Sequence, residues 1–263
     1  MRQPEEMMDS TFLGEKRENE IPHGLAHVLW FLVAFVQKVI TRYTVHDRNR
    51  VLDLQSSSGA VIACTHHSFL DVSFIWCSLG LGHYPRMMAR DTLFRKNALI
   101  SQIMARCGAF PVTRDSADRT SVKRAVKMLK NKEIVCIFPE GTRRGKTTFP
   151  PTLHAGAALI ARMGKSPLVP ACARNAEKVK EEGKFLRCPH VDVYFGNPVY
   201  PKDFDFLPKE DRLQGCIWYT MRESFALQEG CKPQEVDMAA LFPDSKDFAE
   251  VFAQREEEVK HAG

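Results

Sequence analysis

No two of the eight cysteines stand as a Cys-x-x-Cys pair, no apolar run reaches the roughly 20 residues that span a bilayer, and no repeat or low-complexity tract is present. Each absence closes a class. The cysteines are scattered, several inside apolar runs (Cys64, Cys136, Cys172). That pattern suits buried, reduced thiols in a reducing compartment better than a disulfide framework or a zinc site. Without repeats a solenoid is excluded. Residues 1–20 are polar and lack a basic start followed by an apolar core and cleavage site, so no secretory signal is expected. What remains is ordinary: 263 residues, 44% hydrophobic and 26% charged, enough for one sizeable core and neither disordered nor polytopic in composition.

Charge is unevenly placed. Between Arg86 and Lys132 twelve Lys/Arg stand against three acids, whereas the whole chain carries only +5, so the remainder is net acidic. A basic face of that kind attracts anionic lipid or a phosphate-bearing substrate, and each cation is equally a solvated helix position. Nucleic acid would be attracted too, but no reading motif accompanies the charge, and no nucleic-acid partner is expected. Residues 24–40 are the most apolar segment. They fall short of a span, with His27 near one end and Gln37-Lys38 near the other, so a helix lying in the membrane interface is expected, Trp30 suiting that depth. A buried core helix is the alternative.

From Val51 short apolar runs alternate with helical stretches. Residues 60–64, 134–138 and 168–172 read as buried strands, and 191–195 as a late strand. Residues 118–130 read as an amphipathic helix with Val122, Ala125, Val126 and Leu129 on one face, and 155–163 as a second helix. The expected fold class is α/β, a mostly parallel central sheet flanked by helices with an N-terminal apolar membrane-interface segment. The expected organisation is a polar tail (1–20), a membrane-associating segment (21–50), a catalytic domain (51–230) and an acidic C-terminal helix or tail (231–263).

Two strand ends carry chemistry. Thr65-His66-His67-Ser68-Phe69-Leu70-Asp71 leaves the strand at 60–64 for a helix, and the carboxyl edge of a sheet is where α/β proteins place sites. A carboxylate there can hold one imidazole nitrogen while the other accepts a proton. The same residues fit a helix cap, with Ser68 capping and Asp71 in the first turn. Spacing alone leaves His66 and His67 both able to serve. At the second strand end stands Phe138-Pro139-Glu140-Gly141-Thr142-Arg143. Gly141 permits a tight turn, Thr142 and nearby amides can donate to phosphate, and Arg143 offers a planar fork for it. Glu140 can hold that arginine or a substrate hydroxyl; an ordinary turn with a surface ion pair is the alternative. The overlapping run from Gly141 to Gly145-Lys146-Thr147 has three residues between its glycines where a phosphate loop needs four, and Pro150-Pro151 follows, so a nucleotide triphosphatase is excluded.

Together with Gly108-Ala-Phe-Pro-Val-Thr-Arg114 and Pro167-Leu-Val-Pro170, these blocks resemble, in order, those of the glycerophospholipid acyltransferase family, in particular the bacterial 1-acyl-sn-glycerol-3-phosphate acyltransferases. The resemblance covers residues 61–199. It implies that His66 is the catalytic base and Asp71 its partner. It further implies that Arg114 binds phosphate, that Glu140, Gly141, Thr142 and Arg143 bind the acceptor, and that Pro170 helps shape the pocket. It implies direct transfer from acyl-CoA or acyl carrier protein to the sn-2 hydroxyl of a lysophospholipid, giving phosphatidic acid in phospholipid biosynthesis, without metal or cofactor. The expected place is the cytoplasmic face of the cell membrane, monotopic or peripheral. Two departures stand out: Thr65 replaces the usual asparagine, and His154 in Leu153-His154-Ala155-Gly156 replaces the usual lysine. The second leaves another lysophospholipid or glycerol 3-phosphate as alternative acceptors. A membrane-binding module without catalysis is the rival from a different class.

Overall fold

The computed structural model describes residues 4–16, 19–113, 118–145, 150–179 and 188–262. In chain order the elements are α1 (Pro4–Met8), α2 (Gly24–Ile40), β1 (Arg42–His46), α3 (Asn49–Ser57), β2 (Ala60–Cys64), α4 (Asp71–Ser78), β3 (Arg86–Arg90), α5 (Asp91–Arg95), α6 (Ala98–Arg106) and β4 (Phe110–Val112). There follow α7 (Arg119–Lys130), β5 (Ile134–Ile137), α8 (Gly156–Gly164), β6 (Leu168–Arg174), β7 (His190–Phe195), α9 (Arg212–Glu229), α10 (Met238–Leu241) and α11 (Ala249–Ala262).

The strands form one seven-stranded sheet, β1-β7-β6-β2-β5-β3-β4, parallel throughout except between β6 and β7. Every residue of β2 and β5 is buried, as expected of central parallel strands covered on both faces. Helices α7, α8 and α9 pack in a row against β5, β2 and β6, while α2 and α4 pack on one another and against β1, β6 and β7. The α7 helix begins where its sequence says it should: the Asp118 carboxylate accepts from Ser121 N–H at 3.0 Å, and Ala125, Val126 and Leu129 enter the core.

Three expectations need correction. The segment taken for a polar tail packs instead, burying Met7, Met8 and Phe12, because three apolar side chains among the charges suffice to seat it. The boundary at residue 51 cuts α3, and β1 before it is an edge strand of the sheet. The basic stretch is in part an internal surface: Arg86 is buried with Glu133, Arg124 pairs with Asp9 and Lys132 with Glu15. Those cations hold the amino-terminal segment. At the other end α11 is anchored by the buried Phe248 and Phe252.

Candidate active site

Strands β2 and β5 run side by side with Ala60 opposite Ile134 and Ala63 opposite Ile137. Continued beyond the strand ends, the same offset of 74 positions sets His66 opposite Glu140, and there His66 N–H donates to Glu140 Oε1 at 2.8 Å. Sheet register therefore brings the two sequence blocks together.

Asp71 opens α4 but does not face outward. Its Oδ2 accepts from His67 N–H at 2.8 Å, Ser68 N–H at 2.7 Å and His66 Nδ1 at 3.1 Å. One buried carboxylate thus closes the turn and orients the imidazole. Because a carboxylate can only accept, the bond places the proton on Nδ1 and leaves Nε2 as the basic nitrogen. Nε2 has no hydrogen bond among the described residues, and the ring lies on Phe138 with centroids 4.3 Å apart. Ser68 does not cap α4; its Oγ accepts from Leu70 N–H at 3.2 Å. His67 faces away, its ring edge-on to Phe225 at 5.9 Å, and burial lowers its affinity for a proton.

Glu140 is placed differently from its sequence reading. Its side chain is fully buried, one oxygen on His66 N–H and the other 2.5 Å from Arg144 Nε. It holds an arginine, but Arg144 rather than Arg143. Burial pushes its carboxyl up to about 7 despite that cation, which acts in the opposite direction. In the sequence Arg144 reads only as a second cation after Arg143, with no signal of this role. The Gly141 and Thr142 amides are spent within the turn, donating to Phe138 O and Glu140 O, and Gly141 takes a φ of 63°. What remains for an anion is the Thr142 hydroxyl and Arg143, whose guanidinium lies 5.9 Å from the centroid of the exposed Phe69 ring and makes no ion pair among the described residues. Arg114 lies outside the described residues. Pro170 is buried in β6 beside Ala63, its carbonyl accepting from Gly196 N–H at 2.7 Å. His154 is exposed, its N–H on Pro139 O. Among the described residues no group of three His, Cys, Asp or Glu side chains gathers as metal ligands.

The arrangement is a tautomer-fixed histidine at a sheet edge, with a free arginine on the adjoining loop. The profile of the acyltransferase family matches residues 42–174, half of the chain. A 1-acyl-sn-glycerol-3-phosphate acyltransferase of Bacillus subtilis (strain 168) is 39% identical over 164 residues, covering 61% of this chain and 77% of that protein. A protein of the same name from Streptococcus pneumoniae (strain ATCC BAA-255 / R6) is 32% identical over 113 residues, 43% of this chain and 39% of that protein. The crystal structure of the 1-acyl-sn-glycerophosphate acyltransferase PlsC from Thermotoga maritima shares the fold, with a TM-score of 0.55 over 77% of this chain and 80% of that one at 18% identity. The sheet, the paired strand-end blocks and these matches agree, and the chain belongs to the acyltransferase family.

Proposed function

We propose that this chain transfers an acyl group from acyl-CoA or acyl carrier protein to the sn-2 hydroxyl of 1-acyl-sn-glycerol 3-phosphate, forming phosphatidic acid. The observation that carries the reading is the His66–Asp71 bond, which leaves Nε2 basic at the carboxyl edge of the sheet. The named Bacillus and Streptococcus relatives support the acceptor.

Nε2 of His66 takes the hydroxyl proton as the acceptor oxygen attacks the thioester carbonyl. The resulting imidazolium is stabilised by Asp71. Collapse of the tetrahedral species breaks the carbon–sulfur bond, and the departing thiolate takes the proton back from His66. No covalent enzyme intermediate is required, and Ser68, two residues from His66, turns its oxygen to Leu70 N–H. Arg143 and Thr142 bind the acceptor phosphate, with Arg114 joining them as the resemblance implies. Glu140 acts on His66 rather than on the acceptor.

The lipid acceptor calls for a membrane surface, and α2 fits one. Val28, Phe31, Leu32, Phe35, Val36 and Val39 form an exposed apolar stripe at helical spacing, while Ala26 and Gln37 face inward and Gln37 Nε2 donates to Ser73 Oγ. Such a stripe seats in an interface with the helix axis along the surface. No helix among the described residues is long and apolar enough to cross a membrane. Leu99 and Ile100 of α6, which packs near α2, extend the apolar surface, and the exposed Arg90 and Lys96 would face anionic headgroups on the cytoplasmic side. In this reading residues 21–40 attach the chain and 42–230 carry the chemistry.

The test is a matrix of donors and acceptors offered to the purified full chain. Phosphatidate from lysophosphatidate is expected with at least one thioester donor. Turnover of glycerol 3-phosphate or another lysophospholipid in its absence would overturn the acceptor assignment, which His154 makes the one to challenge.

A further inference from the structure

We infer that Arg144 is a positioning residue of the active site, one that holds His66 through Glu140 and is itself held by the carboxyl-terminal part of the chain. The inference rests on the reading of the chain as a lysophosphatidate acyltransferase with His66 as base.

Both main-chain polar groups of His66 are tied to the loop after β5. Its N–H donates to Glu140 Oε1, and its carbonyl accepts from Arg144 N–H at 2.9 Å. The imidazole can point at an acceptor only as well as that backbone is fixed. Glu140 is fixed in turn by the Arg144 guanidinium, and this guanidinium is caged. It lies 4.7 Å from the ring centroids of Phe225 in α9 and Phe242 just after α10, and its Nη1 and Nη2 donate to Leu241 O at 3.3 and 3.2 Å. A planar cation held against two aromatic rings, with hydrogen bonds from its edge, suits arginine and not lysine. The Phe225, Leu241 and Phe242 cage lies beyond the stretch matched by the family profile, so this chain supports its base with a corner that the family blocks do not contain.

The electrostatics agree. Glu140 is a buried carboxylate whose proton affinity is already raised with Arg144 in place, so loss of that cation raises it further. The other charged and titratable groups facing the pair are Asp71, the two histidines and the buried Cys64 thiol on the β2 side and Glu229 from α9. Removing one member of a buried pair leaves an uncompensated charge, whereas removing both is far milder.

The test is steady-state kinetics of the full-length protein with lysophosphatidate, in wild type, Arg144→Gln, Glu140→Gln/Arg144→Gln and Arg144→Lys. Arg144→Gln is expected to lower kcat about 10- to 100-fold with acceptor KM within about twofold, since a misplaced base slows the step without weakening binding. The acidic limb of its kcat–pH profile should move to higher pH. In the double variant that movement should vanish and kcat recover to within about fivefold of wild type, a coupling that independent sites would not show. Arg144→Lys should fall between. A merely structural role would lower the folded fraction and leave the pH limb and the rescue unmoved. Should Arg144→Gln not fold, Phe242→Ala retains the charge and removes one wall, with an expected loss in kcat of about three- to tenfold at constant KM. Unchanged kcat in the variant that folds, or a loss that falls on acceptor KM instead, overturns the inference while leaving the activity standing. If wild type makes no phosphatidate, both readings fall.

Discussion

Strand β5 is flanked by a buried glutamate–arginine pair at each end, and the two pairs differ in what they hold. Before the strand, Glu133 meets Arg86 at 3.1 Å, and Arg86 also donates to Ser10 O at 2.9 Å and Met8 O at 3.0 Å. Asn131 Nδ2 donates to the other oxygen of Glu133, and Asn131 Oδ1 accepts from Lys16 N–H. That network clamps the amino-terminal segment to the back of the sheet, far along the strand from His66. After the strand, Glu140 meets Arg144 and their loop takes both main-chain groups of His66. The chemistry of the pairs is the same; the neighbour at the end of each network decides whether the pair serves stability or turnover. In a parallel sheet the carboxyl ends carry the site, so only the second pair reaches it.

Substitutions at either end of β5 separate the two roles. Arg86→Ala strands Glu133 in the core and should lower stability by about 3–5 kcal/mol, on the order of a 10 °C fall in melting temperature for a chain of this size, checked by urea and thermal unfolding. Its kcat per folded molecule should stay within about threefold of wild type. A fall as deep as that expected for Arg144→Gln would show that the two ends are not separate. Arg143→Ala, one residue from Arg144, sharpens the carboxyl end: loss of a charge-assisted phosphate contact worth about 2 kcal/mol should raise acceptor KM roughly 30-fold with kcat little changed. A smaller effect is expected where neither pair reaches. Phe35→Ser on the exposed stripe of α2 should weaken sedimentation with anionic vesicles by about 1 kcal/mol, roughly fivefold, without altering turnover of a water-soluble short-chain acceptor.

Much of this was legible in the sequence, and the reasons are local. Residues 60–64 and 24–40 have in the structure the bounds their apolar runs give them, because an uninterrupted run marks a buried strand or a helix without help from distant residues. His66 and Asp71 lie within one turn, so their partnership could be weighed from spacing. In the structure Asp71 Oδ2 accepts both from the turn amides before α4 and from His66 Nδ1, so the two readings of the spacing are not exclusive. What escaped was nonlocal. Arg144 looks like a second cation after a motif, and nothing near it announces Phe225, Leu241 and Phe242. Arg86 reads as one more surface charge, since its partner Glu133 is far along the chain and its carbonyl acceptors belong to a segment with only sparse apolar residues. The β1 strand did carry a signal in Tyr43-Thr44-Val45, hidden by the charged or titratable residues at its ends and by the stronger apolar helix before it.

The most direct measurement of the central claim compares His66→Ala with His67→Ala, following phosphatidate formation from lysophosphatidate and a thioester donor, with vesicle binding measured alongside. Loss of the general base should lower kcat on the order of a thousandfold in His66→Ala while vesicle binding is retained. His67→Ala, which removes a ring packed on Phe225 and leaves the Asp71 bond to His66 in place, should keep kcat within about tenfold of wild type. An active His66→Ala beside an inactive His67→Ala would contradict the account.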